Sequence, residues 1–156
     1  MLPIVFLDFD GVVHTIYWSC DDNGVYRENT LKGGHTYLNN GQAIGWLNEL
    51  YNTVPFRVVV SSTWRMSMSV EELQLLLLKS GFRPEIEVIG KTPVLGDLRG
   101  KEIQQWIDEN NYEGDFIIVD DDNDMCHLMD HLVLCDTFVG FTFHEFKKSL
   151  NLLQKS

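Results

Sequence analysis

Three largely apolar runs, each stopping at an acid or a hydroxyl, constrain this chain more than any other feature. Ile4-Val5-Phe6-Leu7 runs into Asp8-Phe9-Asp10-Gly11, Phe56 to Val60 runs into Ser61-Ser62, and Phe116 to Val119 runs into Asp120-Asp121. A strand with one wet face alternates apolar and polar residues. These runs do not alternate, so both faces of each strand are buried, the pattern of a parallel sheet covered on two sides. Parallel strands end at one common edge, so segments far apart in sequence deliver side chains into one crevice. A fourth segment, Arg99-Gly100-Lys101, opens a helical pattern and adds cations to the set.

Helical patterns lie between the strands. Gln42 to Tyr51 places Ile44, Leu47, Leu50 and Tyr51 on one face. Ser69 and Glu72 have the spacing of a capping box ahead of Leu73, Leu76 and Leu77, and Gly81 is placed to end that helix. Lys101 to Glu109 turns Ile103, Trp106 and Ile107 inward, and Thr142 and Glu145 repeat the capping-box spacing before Phe146, Leu150 and Leu153. Glu85 to Ile89 and His131 to Cys135 complete a set of five strands. Trp46 and Trp106 fall at core spacing and are assigned to packing. Strands alternating with helices predict an α/β fold with a mostly parallel sheet and right-handed connections. With 156 residues and no repeat or linker, a single domain over 1–156 is expected, carrying an irregular flap-type insertion at about 14–41.

Hydrophobic content of 44% and charged content of 22% suit an ordered globular chain. The formal net charge of −11 leaves no broad basic footprint for extended duplex nucleic acid, while local recognition of a nucleic-acid end or a small phosphate ester stays open. Cys20, Cys126 and Cys135 are widely spaced without a Cys-x-x-Cys pair, and are read as buried or half-buried thiols in a reducing compartment. No signal peptide or membrane span is read, so a cytoplasmic location is expected.

Asp8 and Asp10 flank one residue after a strand, with Gly11 easing the departure of the backbone. Asp120 and Asp121 end another strand the same way. Two like charges about 4 Å apart repel by about 1 kcal/mol in water, and by about 4 kcal/mol at an effective dielectric of about 20. A divalent cation offsets that repulsion, and hard oxygen ligands suit Mg²⁺, which keeps positions for water and a phosphate oxygen. Other metal readings fail. Asp120, Asp122 and Asp124 open like an EF-hand loop, but Met125 and His131 stand where Gly and Glu are required. His127 and His131 are spaced like a helical zinc pair without the Glu or cysteines such a site needs, so surface or packing roles are expected.

The ordered set resembles the haloacid dehalogenase (HAD) superfamily of phosphohydrolases. Asp8-Phe9-Asp10-Gly11 is similar to its first motif, Val58-Val59-Val60-Ser61-Ser62 to its second, and Ile117-Ile118-Val119-Asp120-Asp121 to its fourth. Arg99, Lys101 and Lys91 compete for the third, a cation near the start of a later helix. Ser-Ser-Thr-Trp-Arg at 61–65 and the stretch 99–107 resemble small HAD domains of nucleic-acid repair assemblies.

The resemblance implies a HAD-like Rossmannoid three-layer α/β/α sandwich around a mostly parallel five-stranded sheet. It implies a Mg²⁺-dependent phosphatase in which Asp8 attacks phosphorus and carries an aspartyl-phosphate. Asp10 then protonates the leaving oxygen and helps activate water, with a backbone contact to the metal. Ser61 or Ser62 hydrogen-bonds a phosphoryl oxygen, Arg99 or Lys101 stabilises developing charge, and Asp8, Asp10, Asp120 and Asp121 surround the ion.

Neither 15–41 nor 64–97 has room for a large cap domain, so an open cleft is expected. Such a cleft admits a phosphorylated substrate as bulky as a nucleotide or a polynucleotide end. Tyr17, Trp18, Tyr26, Arg27, Lys32, His35 and Tyr37 are candidates to meet it in the flap, alongside local packing, and Arg65 to touch a substrate phosphate or form an ion pair. The competing reading is a non-catalytic, receiver-like phosphate-sensing module. Asp10 discriminates, since a receiver's acceptor Asp needs no general acid two residues later.

Overall fold

The computed structural model describes residues 1–15 and 37–155, and between them the backbone of Tyr17–Cys20 and Tyr26–Asn29. In chain order the strands are β1 (Ile4–Leu7), β2 (Tyr17–Cys20), β3 (Tyr26–Asn29), β4 (Arg57–Val60), β5 (Val88–Lys91), β6 (Phe116–Asp120) and β7 (Leu132–Leu134). The helices are α1 (Gly41–Thr53), α2 (Val70–Ser80), α3 (Arg99–Glu109) and α4 (Phe143–Gln154), with 3₁₀ turns at Thr63–Met66 and Cys126–His131.

The main sheet has five strands in the order β5-β4-β1-β6-β7, and every pairing is parallel. It is the HAD-like α/β arrangement expected. β1 lies at its centre, with Val5 opposite Val58 on one side and Ile117 on the other. Bonded on both edges and covered on both faces, Ile4, Val5, Phe6 and Leu7 have almost no exposure, which is why the run carries no polar residue.

Side-chain alternation sorts the core into two layers. Val5, Leu7, Val58, Val60, Ile117, Val119 and Val133 pack with Ala43, Ile44, Leu47 and Leu50 of α1, Leu73, Leu76 and Leu77 of α2, and Phe146 of α4. Ile4, Phe6, Val59, Ile118 and Leu132 face Ile103 and Trp106 of α3 together with Met125 and Leu128. Trp106 meets Phe6 edge-on at 5.6 Å, and Trp46 packs on Phe143 and Phe146 at 5.0 and 5.3 Å, the packing roles read for both tryptophans.

The chain leaves β1 toward β4 and leaves β6 toward β7, in opposite directions from neighbouring strands. The loops therefore part above the β1–β6 junction, which is where an open α/β sheet forms its crevice.

The helix ends follow local chemistry. Ser69 and Glu72 exchange both capping-box bonds, and Gly81 closes α2 in the left-handed region at φ 108°. Thr142 and Glu145 repeat the box at α4, and the Asn40 side chain caps α1 by accepting from the Ala43 N–H.

Some boundaries differ from expectation. β5 begins at Val88 rather than Glu85, because Ile86 is held in a turn by a bond from its N–H to the Arg83 carbonyl. β7 begins at Leu132, because the 3₁₀ turn takes His131. In that turn His127 Nε2 lies 2.7 Å from Gln104 Oε1, and the His131 ring stacks on Phe116 at 4.0 Å. The insertion read as irregular contains an antiparallel pair, β2 with β3. Tyr37 is half-exposed, and the other aromatic and basic side chains proposed for the flap lie outside the described residues, as does the Cys20 side chain. Cys135 is buried as read, whereas Cys126 is exposed. Among the described residues, no helix is long and apolar enough to cross a membrane.

Candidate active site

Asp8 is the first residue beyond β1, and its N–H still bonds the Val119 carbonyl at 3.0 Å, extending the sheet by one step. Its carboxylate is therefore aimed by the strand rather than by a loop, and it is buried. The Phe9 carbonyl then accepts from the N–H groups of Val12, Val13 and His14, turning the chain sharply away. Gly11 makes that turn possible at φ 77°. Asp10 projects from the turn and is exposed, with its Oδ2 accepting from Trp64 Nε1 at 3.1 Å.

On the neighbouring strand Asp120 is the last residue of β6 and is buried, while Asp121 is half-buried just beyond. Asp120 Oδ1 accepts from the Asp122 N–H at 3.0 Å, and Asp121 Oδ2 accepts from Thr137 Oγ1 at 3.0 Å. Carboxylate oxygens of Asp8, Asp120 and Asp121 all lie within 4.8 Å of one another. Asp10 is not part of that carboxylate group, so any contact it makes with an ion would come from its backbone.

The cation facing this group is Arg99. Its Nη1 lies 3.4 Å from Asp8 Oδ1 and 3.4 Å from Asp120 Oδ2, and it also donates to the Ser61 carbonyl. The start of α3 is seated to allow this. Asp124 Oδ2 accepts from the Arg99 N–H at 3.1 Å, and the Gly100 N–H bonds the Asp124 carbonyl at 3.0 Å. A β-carbon on Gly100 would fall 2.2 Å from the Met125 carbonyl oxygen, so only glycine allows the helix so close to the acidic loop.

The other third-motif candidates lie elsewhere. Lys101, one step further round the helix, is exposed and paired with Asp97 at 2.9 Å. Lys91 Nζ donates to the carbonyls of Arg65 and Met68 at 3.0 and 2.8 Å.

The two serines separate as well. Ser62 Oγ accepts from the Trp64 N–H at 3.3 Å and caps the 3₁₀ turn. Ser61 Oγ is fully buried and has no hydrogen-bond partner among the described residues.

Arg65, read as either a contact for substrate phosphate or a partner in an ion pair, forms the ion pair. It is buried at 3% exposure, and all five of its N–H donors are engaged. They reach the carbonyls of Thr92, Ser61, Ser62 and Pro93 at 2.9, 3.0, 2.9 and 3.3 Å, and Glu102 Oε2 at 2.6 Å. Arg65 is therefore a clamp joining the ends of β4 and β5 to α3. A planar fork suits that task, which a lysine's point charge would not perform.

The electrostatics follow from burial. Desolvation raises Asp120 to about 8, with Asp8 adding repulsion and Arg99 opposing. Desolvation likewise raises Asp8 to about 6, Arg99 opposing and Asp121 adding. Three carboxylates against one guanidinium leave an excess of negative charge in a partly dry crevice. An oxygen-only donor set with that charge and spread fits a hard divalent cation.

Sequence reasoning missed Trp64, Thr137 and Asp124, because their contacts with Asp10, Asp121 and α3 cross between loops. Asp124 was visible only as part of an acidic run, and Trp64 only as a neighbour of the serines.

A parallel α/β sheet that gathers an Asp-x-Asp loop, a serine, an arginine and an Asp-Asp pair at one edge defines a HAD-type domain. The chain belongs to the family described as the HAD domain in Swiss Army Knife RNA repair proteins, whose model matches residues 4–146. No curated protein and no solved structure matches the chain. Membership supports a phosphohydrolase-type function.

Proposed function

We propose that the protein is a Mg²⁺-dependent phosphatase that works through an aspartyl-phosphate and acts on phosphate at nucleotide or RNA ends. The observation that carries this reading is the grouping of Asp8, Asp120 and Asp121 within 4.8 Å, with Asp10 two residues after the first. Asp8, Asp120 and Asp121 would hold the ion, which when bound offsets phosphate charge at the acidic edge.

Asp8 is the nucleophile. Its oxygen bonds to phosphorus as the ester P–O bond breaks, and Asp10 gives its proton to the departing oxygen. Water then attacks the phosphorus of the Asp8 ester and passes a proton to Asp10, releasing phosphate and restoring both acids. Arg99 holds Asp8 in line and offsets the charge gathered beside it. Ser61, with its hydroxyl otherwise unpartnered among the described residues, is the donor to a phosphoryl oxygen. Lys101 and Arg65 have no place in this scheme.

The family's association with RNA repair supports a nucleic-acid end as substrate, and the net charge of −11 argues against long duplex contacts. The match over residues 4–146 supports one domain, and the β2–β3 pair lies in the flap proposed near 14–41. The free thiols of Cys126 and Cys135 support a cytoplasmic setting.

The test is phosphate release with and without Mg²⁺ from an aryl phosphate, nucleotides, and oligonucleotides phosphorylated at the 3′ or 5′ end. Turnover that needs Mg²⁺ and disappears in Asp8→Asn is expected. Full turnover in Asp8→Asn removes the nucleophile, and no turnover on any substrate returns the receiver-like reading.

A further inference from the structure

Trp64 makes a contact that the scheme above does not use. It lies in the 3₁₀ turn that follows β4 and is half-buried. Its indole packs edge-on against Phe9 at 5.7 Å and against His14 at 5.0 Å between ring centroids. Phe9 is fully buried, and its carbonyl takes three N–H groups of the Asp10 turn, so the indole rests on a rigid surface. From there Nε1 donates to Asp10 Oδ2 at 3.1 Å.

Asp10 is exposed and projects from a turn, where its carboxylate takes a hydrogen bond from the indole. An indole nitrogen is a donor only. The oxygen facing it acts as acceptor, and because the carbonyl oxygen of a carboxyl group is the better acceptor, a proton carried by the group is favoured on the other oxygen, Oδ1. One hydrogen bond therefore sets the direction of the group and biases which oxygen bears the proton. A residue that served only to fill space would satisfy the Phe9 and His14 contacts without placing its single polar atom on Asp10.

We propose that Trp64 is a positioning residue for Asp10, holding Oδ2 through its indole N–H so that Oδ1 delivers the proton to the leaving oxygen. The inference rests on the phosphatase reading given above. The step is balanced: as the Asp8–phosphorus bond forms and the ester bond breaks, the proton on Asp10 Oδ1 moves to the leaving oxygen. No other reactant is needed.

The leaving group separates this role from a structural one. Dinitrophenolate departs without a proton, whereas the alkoxide of a nucleoside 5′-monophosphate requires one. Single-turnover ester cleavage is measured with both substrates in wild type, Asp8→Asn, Asp10→Asn and Trp64→Phe. Trp64 is also replaced by benzothienylalanine, which keeps the bicyclic shape and puts sulfur where the N–H stands. Both replacements are expected to slow the nucleotide about tenfold, the order of one lost hydrogen bond in the transition state. Dinitrophenyl phosphate cleavage is expected to stay within about twofold, and the nucleotide effect to vanish in an Asp10→Asn background.

An equal loss on both substrates with benzothienylalanine, or no loss on either, overturns the role of Trp64 while leaving the phosphatase intact. Absence of Mg²⁺-dependent cleavage in wild type, or full activity in Asp8→Asn, overturns the phosphatase reading and this inference with it.

Discussion

Gly11 lies so close to Asp121 that a β-carbon on it would stand 2.1 Å from Asp121 Oδ2. The first acidic loop is folded directly against the second, and glycine at φ 77° is the residue that permits both the turn and the approach. Gly11→Ala is expected to cost about 1–3 kcal/mol of stability through the positive φ and the clash. Asp121 is displaced as well, so Mg²⁺ should protect the variant from thermal unfolding less than it protects wild type. Equal protection by Mg²⁺ in both proteins would falsify the coupling.

The raised carboxyls predict a pH dependence with a definite sign. Asp8 and Asp120 stand at about 6 and about 8 in the folded protein against 3.8 ordinarily, raised chiefly by desolvation. A group raised on folding favours its protonated form there. The stability it contributes is present below its unfolded value and is lost as pH rises through the folded values. Metal-free protein is therefore expected to lose melting temperature between about pH 4 and about pH 8 through this pair. Mg²⁺ favours the ionised forms and should raise the melting temperature more at about pH 8 than at about pH 5. Melts of wild type beside Asp8→Asn/Asp120→Asn measure the pair's share, and a Mg²⁺ shift independent of pH refutes the argument.

Arg65 is expected to matter for folding more than any exposed charge. Removing its side chain leaves Glu102 buried without its cation and takes a donor from four carbonyls, of which those of Ser61 and Ser62 keep bonds from Arg99 and from the residue-65 N–H. Breaking one side of a buried pair costs about 3–5 kcal/mol. Arg65→Met should fall in that range by urea unfolding, and Arg65→Lys should recover only part of it because the fork is lost. A loss under about 1 kcal/mol in Arg65→Met contradicts the clamp.

Ser61→Ala should separate stability from activity. The hydroxyl is buried with no partner among the described residues, so deleting it removes an unmet desolvation cost. The variant is expected to be at least as stable as wild type, yet slower in turnover by about tenfold or more. Ser62→Ala loses the cap on the Trp64 N–H and is expected to lose about 1 kcal/mol of stability. Matched turnover and denaturation curves decide between the serines.

For the third motif, Lys101→Ala is expected to leave turnover within about twofold, because its charge is exposed and paired with Asp97. Arg99→Ala removes the only cation recorded beside Asp8 among the described residues and should abolish most activity. The reverse pattern reassigns the motif.

The apolar runs at 4–7 and 116–119, the two capping boxes and Gly81 needed no tertiary information. Each is decided by neighbours within a turn or by the demand that a doubly covered strand be apolar throughout. Parallel strands share an edge, so the convergence of positions 8, 61 and 120–121 was legible too. The choice among equivalents was not. Arg99 and Lys101 are both plausible cations in sequence, and the seating of α3 on Asp124 and Met125 aims one at Asp8 and leaves the other in solvent. Ser61 and Ser62 differ in which caps a turn and which is left buried and unpartnered among the described residues.

By itself the chain determined where its strands end and which acids those ends carry, because burial and capping act over a few residues. Tertiary structure decided the partners. Arg65 became a clamp, Trp64 met Asp10, and Gly11 met Asp121 across separations of many residues. Such contacts depend on how helices and loops dock on the sheet, and side-chain direction at those positions follows the docking rather than the local sequence.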